Sequence, residues 1–244
     1  MDSMTRPKWF TMLSTAVCLF IAGTLHGLSV QAVPRRIIVL RHAEKANSHA
    51  LCGIGLRRSI ALSRHYLGRN AINPSLLEGQ VPAAIVAITL HTIETAGQTA
   101  VSWQLPIQIY PAMPVENGLI NPLLENSATR AAAADVLGNP RWHDRIVVMF
   151  WEHRHIASAQ VERQYSGQKV TLRQLLNIDQ LENVPETWES NYDYFWVIDY
   201  DPDQSLIPVH FEMVKQIYPS PFNTLPHNDW GYALPRDFPE NCLR

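Results

Sequence analysis

Ile38-Val39-Leu40-Arg41-His42-Ala43-Glu44-Lys45 is the stretch that decides the fold. It opens on a short β-branched run over residues 36–40 and passes straight into charged side chains. Such a run is a buried strand, and the charges after it mark the strand's carboxyl end. The same pattern returns twice. Residues 82–90 form a second buried strand, followed by His91, Thr92 and Glu94. Residues 145–151 form a third, followed by Glu152-His153-Arg154-His155. Between them lie helical patterns at 55–67, 92–103 and 121–137, the last stopped by Gly138 and Pro140. A short strand at 107–110 and a helix at 155–165 continue the alternation. Residues 194–200 and 206–213 read as an edge hairpin turning at Asp201-Pro202-Asp203. Alternating strands and helices predict an α/β fold, a three-layer sandwich with a mostly parallel central sheet flanked by helices.

Composition agrees with one such domain. The chain has 244 residues, 46% hydrophobic and 17% charged, which is globular rather than disordered. Lys plus Arg is 20 against 22 Asp plus Glu, for a net charge of −2. There is no basic surplus to neutralise a nucleic-acid backbone, so no nucleic-acid partner is expected. At the N-terminus, Arg6 and Lys8 precede an apolar run ending in small residues, with Val30 and Ala32 where a signal peptidase reads. Residues 1–32 are therefore expected to be a signal peptide and residues 33–244 the mature domain. Export, periplasmic or secreted, would leave no stable membrane association. Cys18 would depart with the leader, leaving Cys52 and Cys242, an even pair suited to a disulfide in an oxidising compartment. Two free thiols are the alternative.

In open α/β sheets, ligands bind outside the carboxyl ends of the strands. Three strand ends here deliver His and Arg to one rim. A guanidinium fork binds two phosphate oxygens at once and keeps its charge. A neutral imidazole can attack phosphorus and form a phosphohistidine. A second imidazole can stabilise charge in the transition state, and a carboxylic acid can protonate the leaving oxygen. This scheme needs no metal and no cofactor, only a small phosphorylated substrate. A metal hydrolase is a rival, because His153 and His155 on an extended segment would point the same way. Arg41 beside them would repel a cation. The Gly-x-Ser-x-Gly elbow of serine hydrolases and the phosphate-binding Gly-x-x-x-x-Gly-Lys loop are both absent.

Residues 38–45 resemble the signature of the histidine phosphatase superfamily, the phosphoglycerate-mutase-like fold, in an exported bacterial branch. Leu51-Cys52-Gly53-Ile54-Gly55-Leu56-Arg57-Arg58 resembles that family's segment opening the first helix. His91-Thr92-Ile93-Glu94-Thr95-Ala96 resembles its Arg-Thr-x-Glu-Thr-Ala segment. Phe150-Trp151-Glu152-His153 resembles its second-histidine strand end, and residues 192–198 its late strand. The resemblance implies a phosphomonoester hydrolase with His42 as nucleophile, Arg41 as phosphoryl clamp and His153 as second histidine. Glu116 is the positional candidate for the general acid, with Glu125 behind it. His91, Arg154 and Glu44 are expected to bind substrate. His91 stands where the family has a second arginine, which removes one permanent charge and one bidentate fork. Two outcomes stay open: a phosphatase favouring acid, when His91 is protonated, or a degenerate exported binding protein of the same fold.

Overall fold

Parity along the first strand, β1 (Arg36–Arg41), sets the layers. Side chains alternate between the faces of a strand. Ile38 and Leu40 therefore join one core cluster, and Ile37 and Val39 the other. A computed structural model describes residues 33–115, 118–235 and 238–243. The expected leader at 1–32 and Glu116 lie outside the described residues.

The sheet has six strands. Beside β1 stand β2 (Ala84–Ala87), β3 (Ile107–Ile109), β4 (Ile146–Trp151), β5 (Tyr194–Asp199) and β6 (His210–Lys215), in the order β3-β2-β4-β1-β5-β6. The first four of that order are mutually parallel, β5 runs antiparallel to β1, and β6 runs antiparallel to β5. Helices α1 (Gly53–Leu62) and α2 (Leu90–Trp103) cover the face of Ile38, Leu40, Val148 and Phe150. Helix α3 (Pro122–Gly138) covers the face of Val39, Met149 and Trp151. The expected three-layer α/β architecture is present.

The expected edge hairpin is formed by β5 and β6, with β6 outermost and β5 pairing with both β1 and β6. Arg36 fixes the β1–β5 register, giving Nε to Asp199 Oδ1 at 2.6 Å and Nη2 to Oδ2 at 3.0 Å. Two local expectations need correction. The last strand begins at His210, after Pro208, which has no N–H for a ladder. The single helix expected at 155–165 is two, α4 (His153–Ile156) and α5 (Ala159–Gln164). Ala157 is extended between them, and the Ser158 hydroxyl caps α5 by accepting from Val161 N at 3.3 Å. A short helix α6 (Leu172–Leu175) follows.

Cys52 and Cys242 are bonded, with Cα atoms 5.5 Å apart across 190 residues of sequence. The bond ties the C-terminal tail to the start of α1, and the two cysteines pack with Tyr192 and Phe238 in a small separate cluster. Among the described residues no helix is long and apolar enough to cross a membrane.

Candidate active site

His42 is placed by the sheet. Its N–H extends the β1–β4 ladder to Trp151 O at 3.1 Å, and its ring Nδ1 donates to Ala43 O at 2.7 Å. That tautomer leaves the lone pair on Nε2. The loop after β1 is held by the α2 segment: Ala43 N donates to Thr95 Oγ1 at 2.9 Å and Leu51 N to Glu94 Oε2 at 2.6 Å. Cys52 N donates to Glu44 O at 3.0 Å. Gly55 in α1 lies so close to this loop that a Cβ would fall 2.2 Å from Glu44 O, so only glycine fits.

Around His42 stand three strand-end groups. The Glu152 carboxylate lies 3.3 Å from His42 Nε2 and 3.8 Å from His91 Nδ1, and accepts from Thr89 Oγ1 at 2.8 Å. The His153 and His42 ring centres are 5.9 Å apart. Arg41 lies with its guanidinium carbon 3.9 Å from the centre of the Tyr192 ring, and its Nη2 is 3.4 Å from His153 Nδ1. His91 turns its Nε2 to Asn47 O at 2.8 Å.

Electrostatics follow burial. Burial pushes His42 down, opposed by Glu152. Burial, then the charge of Arg41, holds His153 well below the ordinary imidazole value. Burial alone would raise Glu152, but His42 and His91 override it and hold the carboxyl well below its usual range. Burial lowers Arg41 as well, against the pull of Tyr192 and Glu152.

Two cavities open beside this centre. One, of about 350 Å³, is lined by His91, Glu152, His153 and Arg154, with Glu125 and His155. The other, of about 320 Å³, is lined by Arg41, Tyr192, Glu189 and Trp188. Lys45 and His153 belong to both. Neither lining includes His42, which is fully buried beneath them.

Arg41, His42, His91 and His153 come together as expected, and Arg154 stands exposed on the rim of the larger cavity. Glu44 does not reach the rim. It is fully buried, and both of its carboxylate oxygens accept from Arg58 at 2.6–3.1 Å. Turned inward to the guanidinium, it anchors the loop after β1. His155 also serves structure, with Nε2 2.8 Å from Asn126 Oδ1 and Nδ1 3.1 Å from Glu125 Oε1. The His153–His155 ligand pair of the rival metal-hydrolase reading is therefore not formed, because the segment is helical. Among the described residues the group able to hold a metal is instead His42, Glu152 and His153, with donor atoms within 4.8 Å of one another. The placements of Glu152 and Tyr192 were missed in the sequence. Glu152 could have been found, because a carboxylate between a buried strand and His153 must arrive at the same rim. Tyr192 carries no such local signal.

No family model matches the chain, and no curated protein matches it. Among solved structures, the native mycobacterial glucosyl-3-phosphoglycerate phosphatase is similar at 15% identity and a TM-score of 0.39, over 75% of this chain and 98% of that one. Its complex with VO3 is similar at 14% identity and 0.38, over the same shares. A structure described as mycobacterial hydrolase 2 matches at 15% identity and 0.37, over 75% of this chain and 90% of its own. Likenesses at this level carry no argument about what this chain does.

Proposed function

We propose that this chain hydrolyses a small phosphate monoester through a phosphohistidine on Nε2 of His42. The observation that carries the reading is the His42 tautomer. Nδ1 is committed to Ala43 O at 2.7 Å, which leaves the lone pair to Nε2, the ring nitrogen 3.3 Å from Glu152 Oε2. Arg41 supplies a permanent positive charge and His153 a second imidazole beside it.

In the first step the Nε2 lone pair bonds to phosphorus while the ester P–O bond breaks. The alcohol leaves with the proton carried by the phosphate of the monoester monoanion, because Glu152 is held well below the usual carboxyl range and has none to give. In the second step water attacks phosphorus, the N–P bond breaks, and the water's proton passes to the departing phosphate through the Glu152 carboxylate, 3.3 Å from His42 Nε2. The Glu152 side chain must withdraw from Nε2 to admit the phosphoryl group. The scheme is metal-independent. Export of the chain is part of this reading, supported by the Cys52–Cys242 bond, since disulfides persist in oxidising compartments.

One observation favours a second reading, a binding protein without turnover. His42 is fully sealed, with Glu152 lying over its reacting nitrogen, and His91 is engaged with Asn47 rather than presented to a ligand. Hydrolysis of a generic aryl phosphate, assayed with chelator beside His42→Ala, separates the two. Turnover that disappears with His42→Ala supports the phosphatase. Binding of the aryl phosphate without turnover supports the binding protein.

A further inference from the structure

His42 Nε2 and the Glu152 carboxylate pose an unsolved local problem. A neutral imidazole with its proton on Nδ1 presents a lone pair at Nε2. The carboxylate opposite, 3.3 Å away, also presents lone pairs. Such a buried pair is satisfied by a proton or by a metal ion between the two atoms, and the His153 ring converges on the same point, with all three donor atoms within 4.8 Å of one another.

We propose that His42, Glu152 and His153 form a binding site for a divalent transition cation of the zinc class, and that its occupancy blocks His42. The geometry suits such an ion. Zinc bound tetrahedrally at about 2.0–2.1 Å places neighbouring ligand atoms about 3.3 Å apart. That is the His42 Nε2–Glu152 Oε2 separation. All three donors lie within 4.8 Å, so closing the remaining edges needs side-chain shifts rather than backbone rearrangement. The donor set, two imidazoles and one carboxylate with a fourth position open to the cavity, is one that zinc accepts.

The surroundings also match. A metal-binding histidine usually donates its other ring N–H to a carbonyl or carboxylate, and His42 Nδ1 donates to Ala43 O. A ligating carboxylate is usually hydrogen-bonded in turn, and Thr89 donates to Glu152 Oε1 at 2.8 Å. His91 Nδ1, 3.8 Å from that same oxygen and without a hydrogen-bond partner, stands ready as a further donor. Arg41 opposes the ion. Its Nη2 lies 3.4 Å from His153 Nδ1, and its charge weakens the site relative to a structural zinc.

A metal here takes the lone pair that the phosphohistidine mechanism needs. The blocking effect, but not the site, rests on the phosphatase reading. The test is calorimetric titration of the chelator-stripped chain with zinc chloride, with no substrate present, and Co2+ absorption as a second readout. The expected result is one-to-one binding, with the intense visible bands of four-coordinate cobalt. Glu152→Gln and His153→Ala should each weaken binding at least tenfold, while His227→Ala, at an exposed histidine, leaves it unchanged. Circular dichroism checks that each variant is folded, and His42→Ala stands in for any that is not. A missing one-to-one isotherm, or one that survives the site substitutions, overturns the proposal. If the chain binds zinc but hydrolyses no aryl phosphate, the phosphatase reading fails and the site stands. If it hydrolyses the ester but binds no zinc, the site fails and the phosphatase stands.

Discussion

Replacing Arg58 by alanine should be among the most damaging single changes in this protein. The side chain is 1% exposed and its partner Glu44 is 0% exposed. Arg58 Nε donates to both Glu44 oxygens at 3.1 and 3.0 Å, and Nη2 donates to Glu44 Oε1 and to Pro226 O, each at 2.6 Å. Burial by itself would lower the Arg58 pKa, but Glu44 overrides it and leaves the guanidinium more firmly charged than in water. Arg58→Ala strands a carboxylate in the interior without a partner. Removing one member of a buried pair costs about 3–5 kcal/mol. At roughly 2–4 °C per kcal/mol for a domain of this size, Tm should fall by about 6–20 °C. The pair as a whole is worth far less, because its attraction mostly offsets its desolvation. Glu44→Leu with Arg58→Met should therefore recover most of the loss. Urea unfolding of wild type, Glu44→Leu, Arg58→Met and the double variant closes the cycle, with Arg58→Ala measured beside it. A loss under about 1 kcal/mol for Arg58→Ala, or a double variant as unstable as the two singles summed, would refute the reasoning.

Other predictions follow from single contacts. Cys242→Ser frees a link closing 190 residues and should cost up to about 5 kcal/mol in the chain-entropy account, read as a lower thermal midpoint that reductant no longer shifts. Gly55→Ala drives a Cβ onto Glu44 O and should destabilise by about 1–3 kcal/mol. Gly97→Ala, in α2 with nothing within 4 Å, should stabilise by up to about 1 kcal/mol; equal effects at the two glycines would undo the packing argument. Asp193 is raised by burial, against the charges of Arg58 and Lys215, so its carboxylate is a cost that appears as pH rises above the ordinary value of 3.8 through the raised folded value. Asp193→Asn should accordingly match or exceed wild-type stability at neutral pH and lose that advantage in acid. A pH series of thermal melts checks the sign.

Most of the fold was legible because it follows from local patterns. The β-branched runs at β1 and β4 are buried on both faces, as crossover helices on either side require. The edge hairpin of β5 and β6 was legible too, though its pairing to β1 rests on Arg36 and Asp199, far apart in sequence. What escaped were effects of tertiary context. The split between α4 and α5 turns on a serine that reads equally well as a helical residue or as a cap. At the site, strand ends announced Arg41, His42, His91 and His153, because the fold brings those ends together. The direction of each side chain was not announced. Glu44 and Glu152 both stand beside a motif histidine. One turns inward to Arg58, and the other lies against His42 Nε2.

Trapping of a covalent intermediate tests the central claim most directly. The chain, freed of metal, is mixed with an aryl phosphate and quenched in base, where phosphohistidine survives, and its peptides are mapped by mass spectrometry. The account predicts one phosphoryl group on the peptide carrying His42, absent from His42→Ala together with turnover. Turnover without that adduct, or undiminished turnover in His42→Ala, would contradict it.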